Sequence, residues 1–308
     1  MNENFSVLMS LYIKEKSAYA RACFESLLHQ TVLADEWVIV EDGPLTEELY
    51  ALLDEYESRY PELIKRVPLK ENQGLGKALR AGLPQCSHEL IARMDTDDIA
   101  REDRFEKQLA MFRQRPELDI CGSHIEEFDN DPSKVLCVRK VPLEQEAIIR
   151  YQKWRDSFNH VTVMYKKAAV LKAGNYQDAP LMEDSLLWVN MLQTGARAAN
   201  INDSLVFVRA GQDMFERRGG WSYFKKYREG RKKIYATGFI SWWEYIGSLG
   251  IQFVVALLPN NIRGKLFVNQ LRTSVRAHTH THTQIVYNGH WLRLYEYAVR
   301  PAQVGYAA

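Results

Sequence analysis

The sequence predicts an α/β protein with a mainly parallel central sheet flanked by helices. Short apolar runs alternate with amphipathic helical segments from Phe5 to Pro116, and several of these runs end in polar or acidic residues. Strict alternation of strand and helix is typical of βαβ units, which favour parallel pairing. The hydrophobic content, 46%, is that of a globular protein, and 308 residues suffice for one large domain or two small ones.

The elements of the first half follow one another closely. Short apolar runs predict strands at FSVLMSLY, EWVIVEDG, LIKRVPL and HELIARMD. Helices are predicted at SAYARACFESLLHQ, TEELYALLDEYESRY, GLGKALRAGLPQC and REDRFEKQLAMFRQRP. Thr46 is the candidate N-cap of the second helix, and Pro61 ends it. Ligands of such sheets bind beyond the carboxyl ends of the strands, which is where the acidic residues lie.

The second half is less regular. Strands are predicted at LDICGSHIEEF, KVLCVRKV, HVTVMY and ARAANINDSLVFVRA, and helices at LEQEAIIRYQKW, KKAAVLKAG and EDSLLWVNMLQTG. Gly174 and Gly195 are expected to close the last two helices, because glycine readily adopts the left-handed conformation of a helix C-terminus.

Residues 211–272 form a basic and aromatic segment. YFKKYREGRKKIY is basic with interleaved tyrosines, and SWWEYIGSLGIQFVVALL is apolar. The apolar run is about the minimum length for a spanning helix and carries Glu244, so we expect helices that associate with a membrane surface. A helical pair that merely covers the sheet is the alternative. Residues 273–308, which include HTHTHT, are expected to be a tag or non-native tail.

Charge, cysteine content and the N-terminal sequence limit the class of partner. Lys+Arg (40) and Asp+Glu (39) nearly cancel, so we expect no nucleic-acid partner. The cysteines are far apart and form no CxxC pair, which favours a reduced cytosolic setting. MNENFSVLMSLY lacks the pattern of a secretory signal.

The stretch IARMDTDDIA places Asp95, Asp97 and Asp98 directly after a predicted strand. Carboxylates are hard oxygen ligands suited to Mg²⁺ or Mn²⁺, and Mg²⁺ completes its shell with water and phosphate oxygens. A D-x-D at a strand end therefore indicates a site for a metal-bound nucleotide diphosphate, and the metal offsets the repulsion among the acids. The alternative is a helix cap, with Asp97 or Asp98 capping a helix that starts near Arg101.

Other polar residues stand at the same predicted edge. Ser10 and Tyr12 end the first strand, and Asp42 ends the second. The stretch ENQGLGKALRAG carries glycines into a helix N-terminus, which favours an anionic phosphate. For Gly74 and Gly76 a plain turn is the alternative, and for Lys77 and Arg80 a solvated helix face.

A second acidic site, Glu183-Asp184, begins the amphipathic stretch EDSLLWVNMLQTG. Capping and the helix dipole alone would favour carboxylates there. Asn159 and His160 precede the predicted strand VTVMY, where they either line an acceptor or diphosphate site or serve the structure. Trp188 is expected in the core because it lies at helical spacing from Asp184.

In this order the motifs resemble the nucleotide-diphospho-sugar glycosyltransferases of family 2, which have the Rossmann-like GT-A fold. The resemblance runs from about Phe5 to Leu205. The family's D-D-G-S motif appears as Glu41-Asp42-Gly43-Pro44, and its D-x-D-D motif appears within ARMDTDD. The family's asparagine-glycine motif appears as Asn72 to Gly82, with Arg80 in place of the second asparagine. The family's R-x-x-x-Q motif appears as Arg104 and Gln108. The asparagine that often follows the tyrosine of the first strand is Ile13 here.

The resemblance implies roles for these residues. Asp184 would be the catalytic general base, and Glu183, His160 and Asn159 would contact the acceptor or support the site. The implied nucleotide-binding residues are Ser10, Tyr12, Asp42, Asn72, Gly74, Lys77, Arg93 and Asp95. Asp97 would bind Mn²⁺ or Mg²⁺, with Asp98 assisting.

The resemblance also implies a function and a domain plan. A GT-A catalytic domain would span residues 1–210, with a nucleotide-binding half of about 1–115 and an acceptor half of about 116–210. The enzyme would be inverting and metal-dependent, and it would transfer sugar from a UDP-sugar to a polyprenyl-diphosphate-linked saccharide. Such enzymes build bacterial capsule, exopolysaccharide or O-antigen, which implies a cytoplasmic protein at the inner face of the plasma membrane.

Two other functions remain open at the level of sequence. One is a nucleotidyltransferase acting on sugar phosphates, but SLYIKEKSAYA lacks the glycine-rich segment typical of that class. The other is a non-catalytic adaptor at a membrane surface, which the intact D-x-D and E-D motifs disfavour.

Overall fold

The first half of the molecule alternates strands and helices in the predicted order. The computed structural model describes residues 4–210, 220–258 and 273–274. The first elements are β1 (Phe5–Leu11), α1 (Ser17–Leu28), β2 (Glu36–Glu41), α2 (Glu47–Arg59), β3 (Ile64–Pro68), α3 (Leu75–Gly82) and β4 (Leu90–Arg93). Thr46 caps α2 as expected, because its side chain accepts a hydrogen bond from the Leu49 N–H at 3.3 Å. The α/β class is confirmed.

Four parallel strands form the nucleotide half of the sheet, in the order β3-β2-β1-β4. Leu8 of β1 is aligned with Val38 of β2 and Arg93 of β4. Since the strands run in parallel, their carboxyl ends share one edge. Asp42, after β2, and Asp95, after β4, therefore lie at the same edge of the sheet.

The second half continues the sheet with mixed pairing. Its elements are β5 (Ile99–Ala100), α4 (Arg104–Gln114), β6 (Ile120–Phe128), β7 (Val135–Arg139), α5 (Gln145–Gln152), β8 (Met164–Lys166), α6 (Lys167–Lys172), α7 (Glu183–Gln193) and β9 (Ala198–Arg209). β8 is antiparallel to both β4 and β6, whereas β9 is parallel to β6. β7 pairs antiparallel with β6, and β5 pairs antiparallel with β9.

The core lies on both faces of the sheet because side chains alternate along each strand. Val7 belongs to a cluster with Phe24 of α1 and Phe105 of α4. Leu8, on the opposite face, belongs to a cluster with Leu79 of α3. Leu187 and Trp188 of α7 join that second cluster, so Trp188 is a core residue as expected.

Two local expectations differ from the structure. HVTVMY was expected to be a strand, but a 3-10 turn occupies His160–Thr162 before β8 begins. Thr162 directs its N–H and its hydroxyl to the Asn159 carbonyl, both at 2.8 Å, which holds the backbone in a turn. The helix-cap alternative for Asp97 and Asp98 is also wrong, because β5 follows these residues and α4 begins only at Arg104.

The C-terminal segment contains α8 (Gly220–Ala236) and α9 (Trp242–Leu257). Ser241 and Glu244 form a capping box that starts α9. α8 packs on α7 through a cluster that includes Leu186, Val189 and Ile234. Among the described residues, no helix combines the length and the apolar character needed to traverse a bilayer.

The predicted tail enters the described structure only at its start. Thr273 and Ser274 form β10, which pairs antiparallel with β7. The remaining tail, together with residues 211–219 and 259–272 of the predicted C-terminal segment, lies outside the described residues.

Candidate active site

Asp95, Asp97 and Asp98 form an acid cluster in the turn between β4 and β5. One oxygen from each of them lies within 4.8 Å of the others. β9 orients the cluster, because the Arg209 N–H donates to Asp98 Oδ1 at 2.8 Å. Three convergent carboxylates are the oxygen donors that Mg²⁺ and Mn²⁺ prefer.

The acid cluster is short of positive charge. Burial raises the pKa of Asp97 to about 6, and the charge of Asp95 adds to this rise. Burial also raises the pKa of Asp98 well above its ordinary value, with Asp97 and Asp95 adding. A nearby cation favours ionised carboxylates. The donor set and its excess negative charge therefore fit a divalent metal ion.

Arg93 supplies a buried positive charge beneath the cluster. It is 1% exposed, and its guanidinium forms an ion pair with Asp95. Within the described part of the chain, its Nε and Nη1 atoms have no hydrogen-bond partner. Because a guanidinium stays charged, Arg93 influences the site mainly through its field rather than through surface contact.

Asp42 organises the glycine loop that leads into α3. Its carboxylate accepts hydrogen bonds from the Gln73 N–H at 2.7 Å and the Gly74 N–H at 2.9 Å. The Asn72 side chain donates to the Asp42 carbonyl at 3.1 Å. Gly43 permits this close approach, since a Cβ there would lie 2.5 Å from the Asn72 nitrogen. The predicted contact of Asp42 with a base stays a prediction.

The other predicted nucleotide-binding side chains lie around this edge. The Ser10 carbonyl accepts from Thr96 Oγ1 at 3.4 Å, which brings the end of β1 beside the acid cluster. Tyr12 and Lys77 are exposed. Their contact with a nucleotide also stays a prediction.

Glu183 and Asp184 form the acid pair in the first turn of α7. Met182 occupies the N-cap position without a side-chain cap, so neither acid caps the helix. Leu181, two residues before Glu183, has a φ of 63°, which is rare for a residue with a branched side chain. A Cβ on Gly76 would lie 2.9 Å from Glu183 Cβ. The beginnings of α3 and α7 are therefore in contact.

The surroundings of Asp184 make its ionised carboxylate a stronger base than an ordinary aspartate. Burial raises its pKa to about 8, and the charges of Asp156 and Glu183 add to the rise. The positive charge of Arg93 opposes this rise in the pKa of Asp184. Arg93 also opposes the rise in the pKa of Asp97, which is likewise caused mainly by burial. The field of one buried arginine thus reaches both acidic sites, and the contact of Glu183 with Gly76, in the helix entered through the loop that Asp42 holds, also brings the acid pair to the carboxyl edge of the sheet.

His160 packs against Trp188 of α7, the helix that carries the acid pair, and Asn159 precedes it in the chain. His160 Nε2 is hydrogen bonded to the Tyr176 hydroxyl at 2.8 Å. Burial lowers the pKa of His160 well below its ordinary value, and Arg93 adds to this effect, so the ring is neutral. Asn159 is 1% exposed, and its side chain donates to the Ser123 carbonyl at 2.8 Å. Asn159 therefore fastens the turn to β6.

The structure adds three residues that no motif predicted. Glu15 accepts a hydrogen bond from Thr96 Oγ1 at 3.2 Å, and burial, with Asp97 adding, raises its pKa to about 7. Arg209 Nε donates to the Asp97 carbonyl at 3.3 Å. Asp156 accepts a hydrogen bond from the Ser185 hydroxyl. Only Glu15 had a sequence signal, because it closely follows the end of a strand.

A cavity of about 570 Å³ is lined by residues other than these acids. Residues of α3, α7 and α8 line it, including Arg80, Asn190 and Lys233. None of the acids of the cluster or the pair lines this cavity. The chemistry therefore assigns the candidate active site to the acids at the edge of the sheet.

Comparison with known proteins identifies the family. The family model described as Glycosyl transferase family 2 matches residues 6–176. The chain belongs to glycosyl transferase family 2. The cluster of Asp95, Asp97 and Asp98 lies within the matched region, and the pair of Glu183 and Asp184 follows it closely.

This family 2 glycosyltransferase resembles enzymes of polysaccharide assembly. It is 43% identical over 240 residues to the amylovoran biosynthesis glycosyltransferase AmsE of Erwinia amylovora, covering 77% of this chain and 88% of AmsE. It is 36% identical over 268 residues to the UDP-Gal:α-D-GlcNAc-diphosphoundecaprenol β-1,3-galactosyltransferase of Escherichia coli, covering 87% of this chain and 96% of that enzyme.

Solved structures confirm the GT-A fold. The chain aligns with S. aureus TarS 1–349 in complex with UDP-GlcNAc at a TM-score of 0.54 and 17% identity, covering 85% of this chain and 70% of that one. The mannosyltransferase PcManGT of Pyrobaculum calidifontis, in complex with GDP-Man and Mn²⁺, aligns at a TM-score of 0.58 and 13% identity, covering 85% and 72%. At these identities the likeness concerns the fold alone.

Proposed function

We propose that this family 2 glycosyltransferase is an inverting, metal-dependent enzyme of bacterial surface polysaccharide assembly. It transfers a sugar from a UDP-sugar to a saccharide linked to polyprenyl diphosphate. The observation that supports the proposal is a pair of acidic sites within reach of one buried arginine: the cluster of Asp95, Asp97 and Asp98 suits a cation, and Asp184 suits a general base. The buried Arg93 acts electrostatically on both.

The relatives support the choice of substrates. The E. coli relative is named for a UDP-Gal donor and a GlcNAc-diphosphoundecaprenol acceptor. TarS has been solved with UDP-GlcNAc. A UDP-sugar donor and a lipid-linked saccharide acceptor are therefore the substrates to test first.

The residues of the two sites divide the proposed reaction between them. Asp97 and Asp98 would hold Mn²⁺ or Mg²⁺, and a divalent cation bound there supplies charge neutralisation for the diphosphate leaving group. Ionised Asp184 takes the proton of the acceptor hydroxyl while that oxygen bonds to the anomeric carbon. The bond from the anomeric carbon to the diphosphate oxygen breaks, and that oxygen keeps the electron pair. A single displacement inverts the configuration and requires no covalent nucleophile.

The C-terminal helices support a membrane-linked acceptor. α9 exposes large apolar side chains, with Trp243 75% and Leu257 67% exposed. Basic residues of α8, including Lys225, Lys226 and Lys232, lie on the helix paired with α9. An apolar helix flanked by cations is typical of contact with an anionic lipid surface.

Transfer assays with Asp184→Asn test the proposed base. With a panel of UDP-sugars, a synthetic sugar-diphosphate-lipid acceptor and Mn²⁺ or Mg²⁺, we expect turnover to fall by about 10²-fold or more, since a general base contributes on that scale. UDP binding, measured by calorimetry with Mn²⁺, should be retained. NMR of the wild-type product should show inverted anomeric configuration.

Asp178→Asn is the matched control, because it removes the same charge at a carboxylate whose side chain is 73% exposed. It should keep wild-type turnover. Near-normal turnover of Asp184→Asn, or retained anomeric configuration, would contradict the mechanism. Failure of the wild-type protein to bind UDP with Mn²⁺ would favour the non-catalytic adaptor.

A further inference from the structure

We propose that Asp156 is a positioning residue that orients Asp184 and sets its basicity, acting through Ser185 and through its own charge. The inference rests on the proposed role of Asp184 as general base. Asp156 lies between α5 and the 3-10 turn at His160–Thr162, outside every sequence motif that indicated function.

Ser185 connects the two carboxylates. Its hydroxyl donates a hydrogen bond to Asp156 Oδ1, and its N–H donates to Asp184 Oδ1 at 2.8 Å. Ser185 is itself buried. Asp156 thereby fixes the first turn of α7, where a misplaced base would lose its alignment with the acceptor hydroxyl.

The segment that carries Asp156 is anchored on both sides. Gln152 Oε1 accepts from the Ser157 N–H at 2.8 Å and from the Ser157 hydroxyl at 2.7 Å. Arg139 Nη2 donates to the Asp156 carbonyl at 3.3 Å. The segment is therefore tied both to α5 and to β7.

The C-terminal helices also hold this segment. Arg231 of α8 is 3% exposed, and its Nη2 donates to the Lys153 carbonyl at 2.8 Å. Arg231 Nε donates to Ser248 Oγ of α9 at 3.1 Å. Lys153 Nζ lies 3.2 Å from Glu244 Oε1 of α9. The helices proposed to meet the membrane thus also support the loop behind the base.

The effect of Asp156 on the basicity of Asp184 comes from the negative charge of Asp156. Burial, followed by Asp156 and then Glu183, raises the pKa of Asp184, whereas the Ser185 N–H and Arg93 oppose the rise. Tyr176 also interacts electrostatically with Asp184, but burial keeps the pKa of Tyr176 raised and its hydroxyl neutral. Asp156 is therefore the leading charge that acts on the base.

Two substitutions separate position from charge. Asp156→Asn keeps an oxygen that accepts from Ser185 but removes the negative charge. Ser185→Ala keeps the charge but removes the hydroxyl. Asp178→Asn is the control for removal of a mostly exposed charge: the Asp178 carboxylate pairs with Lys233 and acts on Glu183.

The experiment measures kcat against pH with saturating UDP-sugar, acceptor and Mn²⁺. Because ionised Asp184 is the active form, wild-type kcat should rise with pH as Asp184 loses its proton. Asp156→Asn should move this acidic limb down by about one pH unit, the scale of a close like-charge interaction. Ser185→Ala should lower kcat about tenfold with the limb in place, since misalignment costs rate on that scale. Asp178→Asn should neither move the acidic limb nor lower kcat.

An unmoved limb in folded Asp156→Asn, or an equal shift in Asp178→Asn, overturns the inference. If Asp156→Asn does not fold, Asp156→Ser provides a second variant that removes the same charge, and it should give the same shift. Substantial turnover of Asp184→Asn would instead refute the proposed base. If Asp184→Asn loses turnover but the acidic limb of the kcat profile is unmoved in the Asp156 variants, only the role of Asp156 is refuted.

Discussion

At the scale of single residues, the site concentrates negative charge around one buried arginine. Burial is the main cause of the raised pKa values of Asp97, about 6, and Asp184, about 8. A carboxyl whose pKa is raised on folding stabilises the fold below its unfolded pKa, and that stability is lost as pH rises through the folded value. The contribution of these two carboxyls to the stability of the cation-free protein should therefore decline between about pH 4 and pH 8.

Asp97→Asn tests the balance between stability and cation binding. Removing this charge relieves repulsion, so we expect the cation-free variant to melt about 2–4 °C higher than wild type at pH 8, which corresponds to roughly 1 kcal/mol. Mn²⁺ with UDP should raise the Tm of wild type but not of the variant, because ligands stabilise the state that binds them. Thermal melts at pH 6 and pH 8 provide the measurement.

Asp178→Asn should melt like wild type without a cation, and its Tm should rise like that of wild type when Mn²⁺ and UDP are added. A full Mn²⁺-dependent shift in Asp97→Asn would show that Asp97 is not a metal ligand. A lower Tm of the cation-free variant would show that repulsion at Asp97 does not limit stability.

At the scale of elements, the contact between α3 and α7 joins the glycine loop to the acid pair. Gly76 lies against Glu183 with no room for a methyl group. Asp42 holds the preceding residues, Gln73 and Gly74, so the loop cannot move freely to relieve a clash. The glycine at position 76 is therefore required by packing, and a turn alone does not explain it.

Gly76→Ala should separate the beginnings of α3 and α7. We expect kcat/KM to fall about tenfold or more, because small displacements of catalytic groups are costly. Steady-state kinetics and thermal melts measure the effect. Gly250→Ala in α9 is the matched control: a Cβ at this position would meet no atom within 4 Å, and the variant should gain up to about 1 kcal/mol from helix propensity. Wild-type kinetics in Gly76→Ala would show that the contact is not needed.

At the scale of the whole molecule, the C-terminal helices have one surface packed on the domain and one exposed apolar surface. α8 shares a core with α7 through Leu186, Val189 and Ile234. α9 leaves Trp243 and Leu257 exposed to solvent. The two alternatives drawn from the sequence are therefore compatible, since one helix covers the catalytic domain and the other is available to a lipid surface.

Sedimentation with anionic vesicles tests the proposed membrane contact. We expect wild-type protein to bind and Trp243→Glu to bind about tenfold more weakly, since an aromatic side chain is replaced by a charge that avoids lipid. Raised salt should weaken binding, because screening reduces the attraction of the basic residues.

Leu33→Glu is the matched control, because Leu33 is 59% exposed and lies in the loop between α1 and β2. It makes a comparable apolar-to-acidic change and should bind vesicles like wild type. Equal loss of binding in both variants would indicate a general effect of charge. Unchanged binding of Trp243→Glu would contradict the proposed surface.

The sequence by itself determined the α/β class, the order of the elements and the acids at strand and helix ends, because periodicity, turn residues and motif spacing are local properties. Only the tertiary structure decided that Gly76 contacts Glu183, that Arg93 influences both acidic sites and that Asp156 joins Asp184 through Ser185. These relations depend on burial and on contacts between residues far apart in the chain. Burial is also what raises the pKa values of the acids, and no local pattern records it.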